Sequence, residues 1–379
     1  MESILPKVAP KSVLVVGGGI AGLSVACGLS QHGWTVRVIE IGNGSVAGSG
    51  LGFWPYAFRA LETLGLREQV GAIGFDNKIV NLCRADGSLI GVTENLRIED
   101  TELPAEFIMA RPVLAQVLTK VALSRGVRLD RELTFMRIDD RVDSVEVEFS
   151  DGTREEFDAV IGADGVNSEV RRRYIDPNIE GETANGGFFR TLLPATEIVE
   201  HGYAFLDDGD LVYIYPAGSG LIYAGIYVRS SRGYLDSSAT RAEALRILGR
   251  FSASQTEYMR ELLEKPPTPV TYREVQRYIV EQPHRGRIVL IGDAAHSMPP
   301  NLSGGGGMAV EDAAVLTEML GTADDVTATL EAYADRRRAR VERVVNDSWA
   351  VFRAGPGLDI WSGQSQVYLE AFDWLARVA

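Results

Sequence analysis

Short apolar runs and helical periodicity alternate along the first half of the chain. Ser12 to Val16 (SVLVV) is β-branched and bounded by glycines, as a buried parallel strand would be. Leu23 to about Gln31 follows with helical periodicity, Gly33 supplies its stop, and a second strand runs from Thr35 to Ile39 and ends at Glu40. Gly48 to Gly65 reads as a flexible loop, then a short helix opened by Pro55 with Ala57, Leu61 and Leu64 on one face. Ile79 to Asn95 predicts strands turning at Asp86-Gly87. Pro112 then sits in the first turn of an amphipathic helix that keeps Leu114, Val117, Leu118 and Val121 together and stops at Gly126. Val145 to Phe149, a turn at Asp151-Gly152 and Glu156 to Phe157 alternate as a hairpin, and Ala159 to Ile161 is a further buried strand.

From Tyr174 to about Thr271 the pattern changes to aromatic, alternating segments at Gly187 to Leu193, Tyr203 to Phe205, Leu211 to Tyr215 and Leu221 to Val228. They predict a mainly antiparallel sheet, followed by a helix near Ala242 to Phe251. Pro266, Pro267 and Pro269 mark the way back, and Tyr272 to Ile279 with Ile288 to Ile291 is expected to rejoin the first sheet. Helices then run to the C-terminus, including a long charged one near Leu330 to Phe352. The predicted architecture is α/β. A discontinuous Rossmann-like nucleotide-binding domain (1–75, 100–175 and 276–350) holds an inserted α+β substrate domain on an antiparallel sheet (76–99 and 176–275), with a C-terminal helical tail (351–379).

Composition narrows the class without naming a function. The 379 residues are 45% hydrophobic and 24% charged, enough for a sizeable core and more than one domain. A formal net charge of -14 argues against nucleic acid or an anionic membrane surface as partner. The cluster Arg336, Arg337, Arg338, Arg340 and Arg343 reads as a solvated helix face. No apolar run reaches the roughly 20 residues of a membrane span, and Met1 to Lys11 has no apolar signal core. Cys27 and Cys83 give no disulfide framework, Cys27 reading as a small buried hydrophobe, and the four histidines show no metal-ligand spacing. A cytoplasmic protein without a metal is the expectation.

Two stretches carry candidate chemistry. Gly17-Gly18-Gly19-Ile20-Ala21-Gly22 is a G-x-G-x-x-G between the first strand and its helix, and Glu40 ends the next strand. In that context glycines at 17, 19 and 22 let a pyrophosphate approach a helix N-terminus, and the carboxylate accepts hydrogen bonds from a ribose. Glu40 would repel a ribose 2′-phosphate, so the expected ligand is FAD or NAD rather than NADP. The second stretch is Gly292 to Asp312 (GDAAHSMPPNLSGGGGMAVED), where Gly304 to Gly307 precede a helical pattern beginning near Met308. So many glycines suit a backbone that must approach something closely or take positive φ, at an anion-favouring helix start. Arg111 at the start of its helix is electrostatically unfavoured unless an anion lies near.

With these landmarks in order, the chain resembles the class A flavoprotein monooxygenases, the para-hydroxybenzoate hydroxylase family. The resemblance rests on Gly17-x-Gly19-x-x-Gly22 with Glu40, Arg111-x-x-Leu114, Asp164-Gly165-x-x-Ser168-x-x-Arg171 and Gly292-Asp293-Ala294-Ala295-His296. It implies a tightly bound FAD, NADH or NADPH as electron donor, and hydroxylation of a compact aromatic or heteroaromatic substrate by O2 through a flavin C4a-hydroperoxide. It also implies roles for residues. Gly17, Gly19 and Gly22 would hold the pyrophosphate, Glu40 the adenosine ribose, Arg111 the phosphate or ribityl region, and Asp293 the ribityl chain. Asp164 would serve both FAD and NAD(P)H. Gly305, Gly306, Gly307 and Met308 would lie along the pyrimidine edge, with backbone N–H groups and the helix dipole facing the charge of the reduced ring. Met308 stands where many members carry Asn. Pro300 would line the space between flavin and substrate, with Arg190, Tyr213 and Tyr215 facing it from the second domain. His296 is read as part of a structural turn. No second G-x-G-x-x-G exists, which separates the chain from flavin enzymes with two such fingerprints. No extra domain of the kind carried by larger phenol hydroxylases is read after the tail, which hints at a compact substrate; a monomer or homodimer is the expectation. Alternatives that stay open are epoxidation, antibiotic inactivation or natural-product tailoring by the same flavin, and a non-catalytic redox module. Halogenation would call for a W-x-W-x-I-P stretch, which is lacking.

Overall fold

A computed structural model describes residues 11–44, 49–207, 209–355 and 366–377. The stretch examined for a signal core, up to residue 10, and Gly48 at the start of the expected loop lie outside them. In chain order the first unit is β1 (Ser12–Val16), α1 (Ile20–Gln31) and β2 (Thr35–Glu40). β3 (Gly50–Phe53), α2 (Pro55–Thr63), α3 (Arg67–Gly71), β4 (Phe75–Asn77), β5 (Ile79–Arg84) and β6 (Leu89–Glu94) follow. β7 (Glu106–Ala110) leads into α4 (Arg111–Ser124) and β8 (Arg128–Arg131). A meander of β9 (Phe135–Asp140), β10 (Val145–Phe149) and β11 (Arg154–Phe157) precedes β12 (Ala159–Gly162). Then come β13 (Glu182–Pro194), β14 (Gly202–Asp207), β15 (Asp210–Pro216), β16 (Leu221–Val228), α5 (Ser237–Leu248) and α6 (Ser254–Glu264). The chain closes through β17 (Thr271–Ile279), β18 (His284–Arg285), β19 (Ile288–Leu290), β20 (His296–Ser297), α7 (Gly304–Gly321), α8 (Val326–Ala354) and α9 (Gln366–Leu375).

One sheet has the order β18-β19-β12-β1-β2-β8, with β1 parallel to both β2 and β12. Val13, Leu14 and Val15 are wholly buried, each such side chain contributing about 1.5–3 kcal/mol by leaving water. The strand alternates its side chains between two cores: Val13 and Val15 face the layer of α1, α4 and α7, and Leu14 and Val16 face the meander. A larger sheet has the order β20-β17-β13-β16-β15-β14-β5-β6. One face of it, with Phe189, Val212, Ile214, Ala224 and Ile226, packs on α5 and α6. Its other face, away from α5 and α6, carries Phe188, Arg190, Tyr213, Tyr215 and Tyr223, because Arg190 pairs with Gly225, Gly225 with Tyr213, and Tyr223 with Tyr215. A Cβ on Gly225 would stand 2.2 Å from the Tyr213 hydroxyl, so the missing side chain makes room for that ring.

Several sequence expectations change here. Tyr272 to Ile279 does not rejoin the first sheet: β17 pairs antiparallel with β13, and a boundary at 275–276 cuts through a strand. Apolar alternation marks a strand but not which sheet it joins. The residues after Gly48 are not a loop throughout, since β3 pairs with β7 over Gly50 to Phe53. The helix expected near Ala242 to Phe251 is α5, and α6 follows it. The glycine run is the first turn of α7 rather than a loop before it, and the left-handed residue is Ser303, at φ 49°. The arginine cluster is only partly solvated: Arg337 and Arg340 are buried against Glu311 and Asp312. Among the described residues no helix is long and apolar enough to cross a membrane, and no acidic, histidine or cysteine group could hold a metal.

Candidate functional site

The turn after β1 shows what each glycine does. Gly17 takes φ +109°, and a Cβ there would stand 2.4 Å from the Ala163 carbonyl oxygen. A Cβ on Gly22 would stand 1.9 Å from the Gly17 carbonyl oxygen, so strand, turn and helix can close only without it. At Gly19 a Cβ would meet nothing within 4 Å, so this position opens onto free space in front of α1. Glu40 is fixed at the same end: its two carboxylate oxygens accept from the Gly18 and Gly42 N–H groups, each at 2.8 Å.

From this turn a single cavity of about 770 Å³ runs between the two sheets. Gly17, Gly19, Glu40, Arg111, Asp164, Asp293, Gly305 and Gly306 line it, as do Pro300, Arg190, Tyr213 and Tyr215. The sequence therefore named residues from far-apart segments that the fold brings onto one surface. Gly22, Gly307 and Met308 do not reach it. Gly307 lies under Tyr56, whose hydroxyl would be 2.4 Å from an added Cβ, and Met308 is wholly buried with its sulfur 3.8 Å from an Arg337 nitrogen. The Met308 side chain thus belongs to the core behind the wall and points away from the cavity.

Charge is placed deliberately along the wall. The open surface of Asp293 faces the cavity, and burial raises its carboxyl above the ordinary range, with His296, Arg111 and Arg190 drawing it back. Asp164 accepts from the Glu169 and Val170 N–H groups at 2.8 and 3.1 Å, while its other oxygen is buried without a partner. Burial raises this carboxyl too, against the hydrogen bonds from Ser168 and the backbone. Arg171 of the same motif serves structure: it donates to Tyr278, Ala294 and Val166 and ties β12 to β17 and the Gly292 turn. His296 is buried behind the cavity, its Nε2 2.8 Å from Asp312, in the short strand β20 that follows the Gly292 turn and pairs with β17.

The sequence reading missed several lining groups. Tyr223 shares the sheet face with Tyr213, their hydroxyls 3.0 Å apart. Glu106 and Ile108 reach in from β7, a short apolar run opened by a single carboxylate (EFIMA). Tyr368 comes from α9, which packs on α8 and sets the Tyr368 ring against Trp54, just before α2, with ring centroids 5.0 Å apart. No local signal marks a tail residue as part of a distant cavity.

The residues present suit a long, flat, anionic dinucleotide. Two helix starts, of α1 and α7, open on one cavity, Gly19 and Gly305 leave room for close approach, and Asp164 and Asn301 each keep a buried oxygen without a protein partner. Residues 11–348 match the family described as FAD binding domain. The chain belongs to this family. The flavoprotein is 30% identical over 344 residues to the 3-amino-4-hydroxybenzoate 2-monooxygenase of Streptomyces cremeus, covering 87% of this chain and 85% of that one. It is 26% identical over 375 residues to the FAD-dependent urate hydroxylase of Klebsiella oxytoca, covering 95% and 92%. Its fold is that of Klebsiella pneumoniae HpxO, solved with FAD and uric acid: TM-score 0.81, 24% identity, 97% of this chain and 92% of that chain. FAD as cofactor and membership of the flavoprotein monooxygenases are thus as the sequence led one to expect.

Proposed function

We propose that this flavoprotein uses NADH or NADPH and O2 to hydroxylate a compact aromatic or heteroaromatic substrate in the part of the cavity walled by Arg190, Tyr213, Tyr215 and Pro300. The observation that carries this is the continuity of one cavity from the G-x-G-x-x-G turn to that aromatic face. The two relatives named above, by their names, act on an aminohydroxybenzoate and on urate, which are flat and polar-substituted. The bound cofactor supplies the oxygen-activating redox chemistry, and the protein supplies placement.

In this reading Gly17, Gly19 and Gly22 shape the pyrophosphate end and Glu40 accepts from the adenosine ribose. Arg111 neutralises phosphate, Asp164 spans the middle, and Asp293 accepts from the ribityl chain. The unpaired N–H groups at Gly305 and Gly306 stabilise negative charge on the ring, as donors at a helix start do. Gly307 and Met308 act only by backing that turn. Arg190, its guanidinium carbon 5.3 Å from the Phe188 ring and its Nε buried without a partner, is the cation for an anionic or carbonyl group of the substrate. The tyrosines give a face on which a flat ring rests. The division into cofactor and substrate parts, with β17 on the substrate side, belongs to this reading, as do a cytoplasmic location and a monomer or homodimer.

The test is a panel of aromatic acids, hydroxypyridines and purines scored for stimulated NADH and NADPH oxidation with product analysis. A protein that no member stimulates, and that leaves every one unmodified, ends the proposal. Asp293→Ala should weaken FAD retention by about tenfold or more, the scale of one lost hydrogen bond to a charged group. Fluorescence titration of FAD into deflavinated protein measures this, and wild-type affinity would remove Asp293 from the ribityl role.

A further inference from the structure

Two features around the cavity are not absorbed by the cofactor reading. β7 sends Phe107 and Met109 into the core, but on its cavity side, two residues before Ile108, it carries a carboxylate, Glu106. Burial raises this group above its ordinary range, with Ser303 and Asn77 drawing it partly back. Ser303 is the non-glycine residue at φ 49° that starts α7, and its hydroxyl donates to Glu106 at 2.7 Å. A left-handed conformation at a residue other than glycine is costly and persists where surroundings demand it. Asn77 is wholly buried beside Glu106, its side-chain amide facing the carboxylate that Ser303 also holds.

We propose that Glu106, held in register by Ser303, is the residue that receives a hydrogen bond, and then the proton, from a ring O–H or N–H of the substrate. This rests on the aromatic hydroxylase reading above and deepens it, by requiring an acidic hydrogen on the substrate. The step balances: the O–H or N–H bond breaks, its electron pair stays on the substrate heteroatom, and the proton goes to a Glu106 carboxylate oxygen. After product leaves, the proton passes to solvent. The added electron density makes the ring a better nucleophile toward an electrophilic oxygen. A carboxylate raised by burial is nearer in basicity to a phenol, so the transfer is less uphill. The groups facing Glu106 are Ser303 before α7, Asn77 at the end of β4, Tyr215 from β15 and Tyr368 from α9. Burial pushes both tyrosines well above their ordinary range, so neither titrates near neutral pH.

The test compares wild-type holoenzyme with Glu106→Gln and Glu106→Asp. Probes are 3-hydroxybenzoate, 4-hydroxybenzoate and 3-hydroxypyridine, each against its methyl ether, with binding read from perturbation of the flavin absorbance and turnover read separately. Wild type should bind at least one free hydroxyl about ten- to a hundredfold more tightly than its ether, the scale of one buried hydrogen bond left unmade. That preference should fade as pH falls through the Glu106 pKa, since the protonated carboxyl no longer accepts. Glu106→Gln should abolish both the preference and its pH limb, and Glu106→Asp should restore part of each. A Gln variant that keeps the preference and the limb overturns the assignment. So does loss of FAD from both variants, which would place Glu106 in cofactor binding. If no aromatic perturbs the wild-type flavin or is turned over, the hydroxylase reading falls and this assignment with it.

Discussion

Gly305→Val should yield a folded protein that no longer retains FAD, with turnover reduced by about a hundredfold or more. The four glycines at the start of α7 are not equivalent, and this one separates binding from folding. A Cβ at Gly304 would stand 2.7 Å from the Met298 sulfur, at Gly306 3.0 Å from the Phe53 ring, and at Gly307 2.4 Å from the Tyr56 hydroxyl. Side chains there strain the core before any ligand is considered. At Gly305 the nearest atom would be an Asp293 oxygen 3.9 Å away, across open cavity. Valine is also a slightly better helix residue than glycine, by a few tenths of a kcal/mol, so stability should hold. What changes is the distance at which a flat ring can approach the N–H groups of the first turn. Visible absorbance after FAD reconstitution, read beside a thermal melt, checks both halves. A yellow, active variant would take the flavin ring away from Gly305.

Asp312→Asn should destabilise the fold by about 3–5 kcal/mol, the cost of breaking one partner out of a buried ion cluster. Asp312 accepts from the Gly292 N–H and His296 Nε2 with one oxygen and from Arg337 with the other, all at 2.8 Å. Arg337 and Arg340 share Glu311, so two cations face two carboxylates, and removing one carboxylate leaves a buried charge uncompensated. The melting temperature should fall by on the order of 10 °C. The same pairing holds the Asp312 carboxyl down, against burial, to about 2 from an ordinary 3.8. A depressed carboxyl stabilises the folded state above its unfolded pKa and loses that contribution as pH falls through the folded one. The contribution of the Asp312 carboxylate should therefore be fully present above about pH 5 and shrink by about 2 kcal/mol between about pH 4 and pH 2. Denaturant unfolding across that range measures it. Because Gly292 and His296 flank Asp293, the variant should also bind FAD more weakly.

The period of the apolar pattern was enough to place β1, β10 and β16 to the residue and α1, α2 and α4 within a few, because buried strands and amphipathic helices advertise their faces locally. Glycine chemistry was equally local. The turn at Gly17 needs positive φ and the helix at Gly22 needs no side chain, whatever the rest of the molecule does. Those features, with Glu40 at the end of β2, are what pointed to a nucleotide from sequence alone.

Tertiary structure decided everything that depends on which surface meets which. It put β17 beside β13, made three of the four α7 glycines answer to Met298, Phe53 and Tyr56, and buried Arg337 and Arg340 against Glu311 and Asp312. It brought Tyr368 from the tail and Glu106 from β7 into the cavity with Arg190. The reason is physical: periodicity records whether a side chain is buried, but not its partner. An arginine buried in a balanced ion cluster and one on a solvated helix face have the same letter and the same neighbours in sequence.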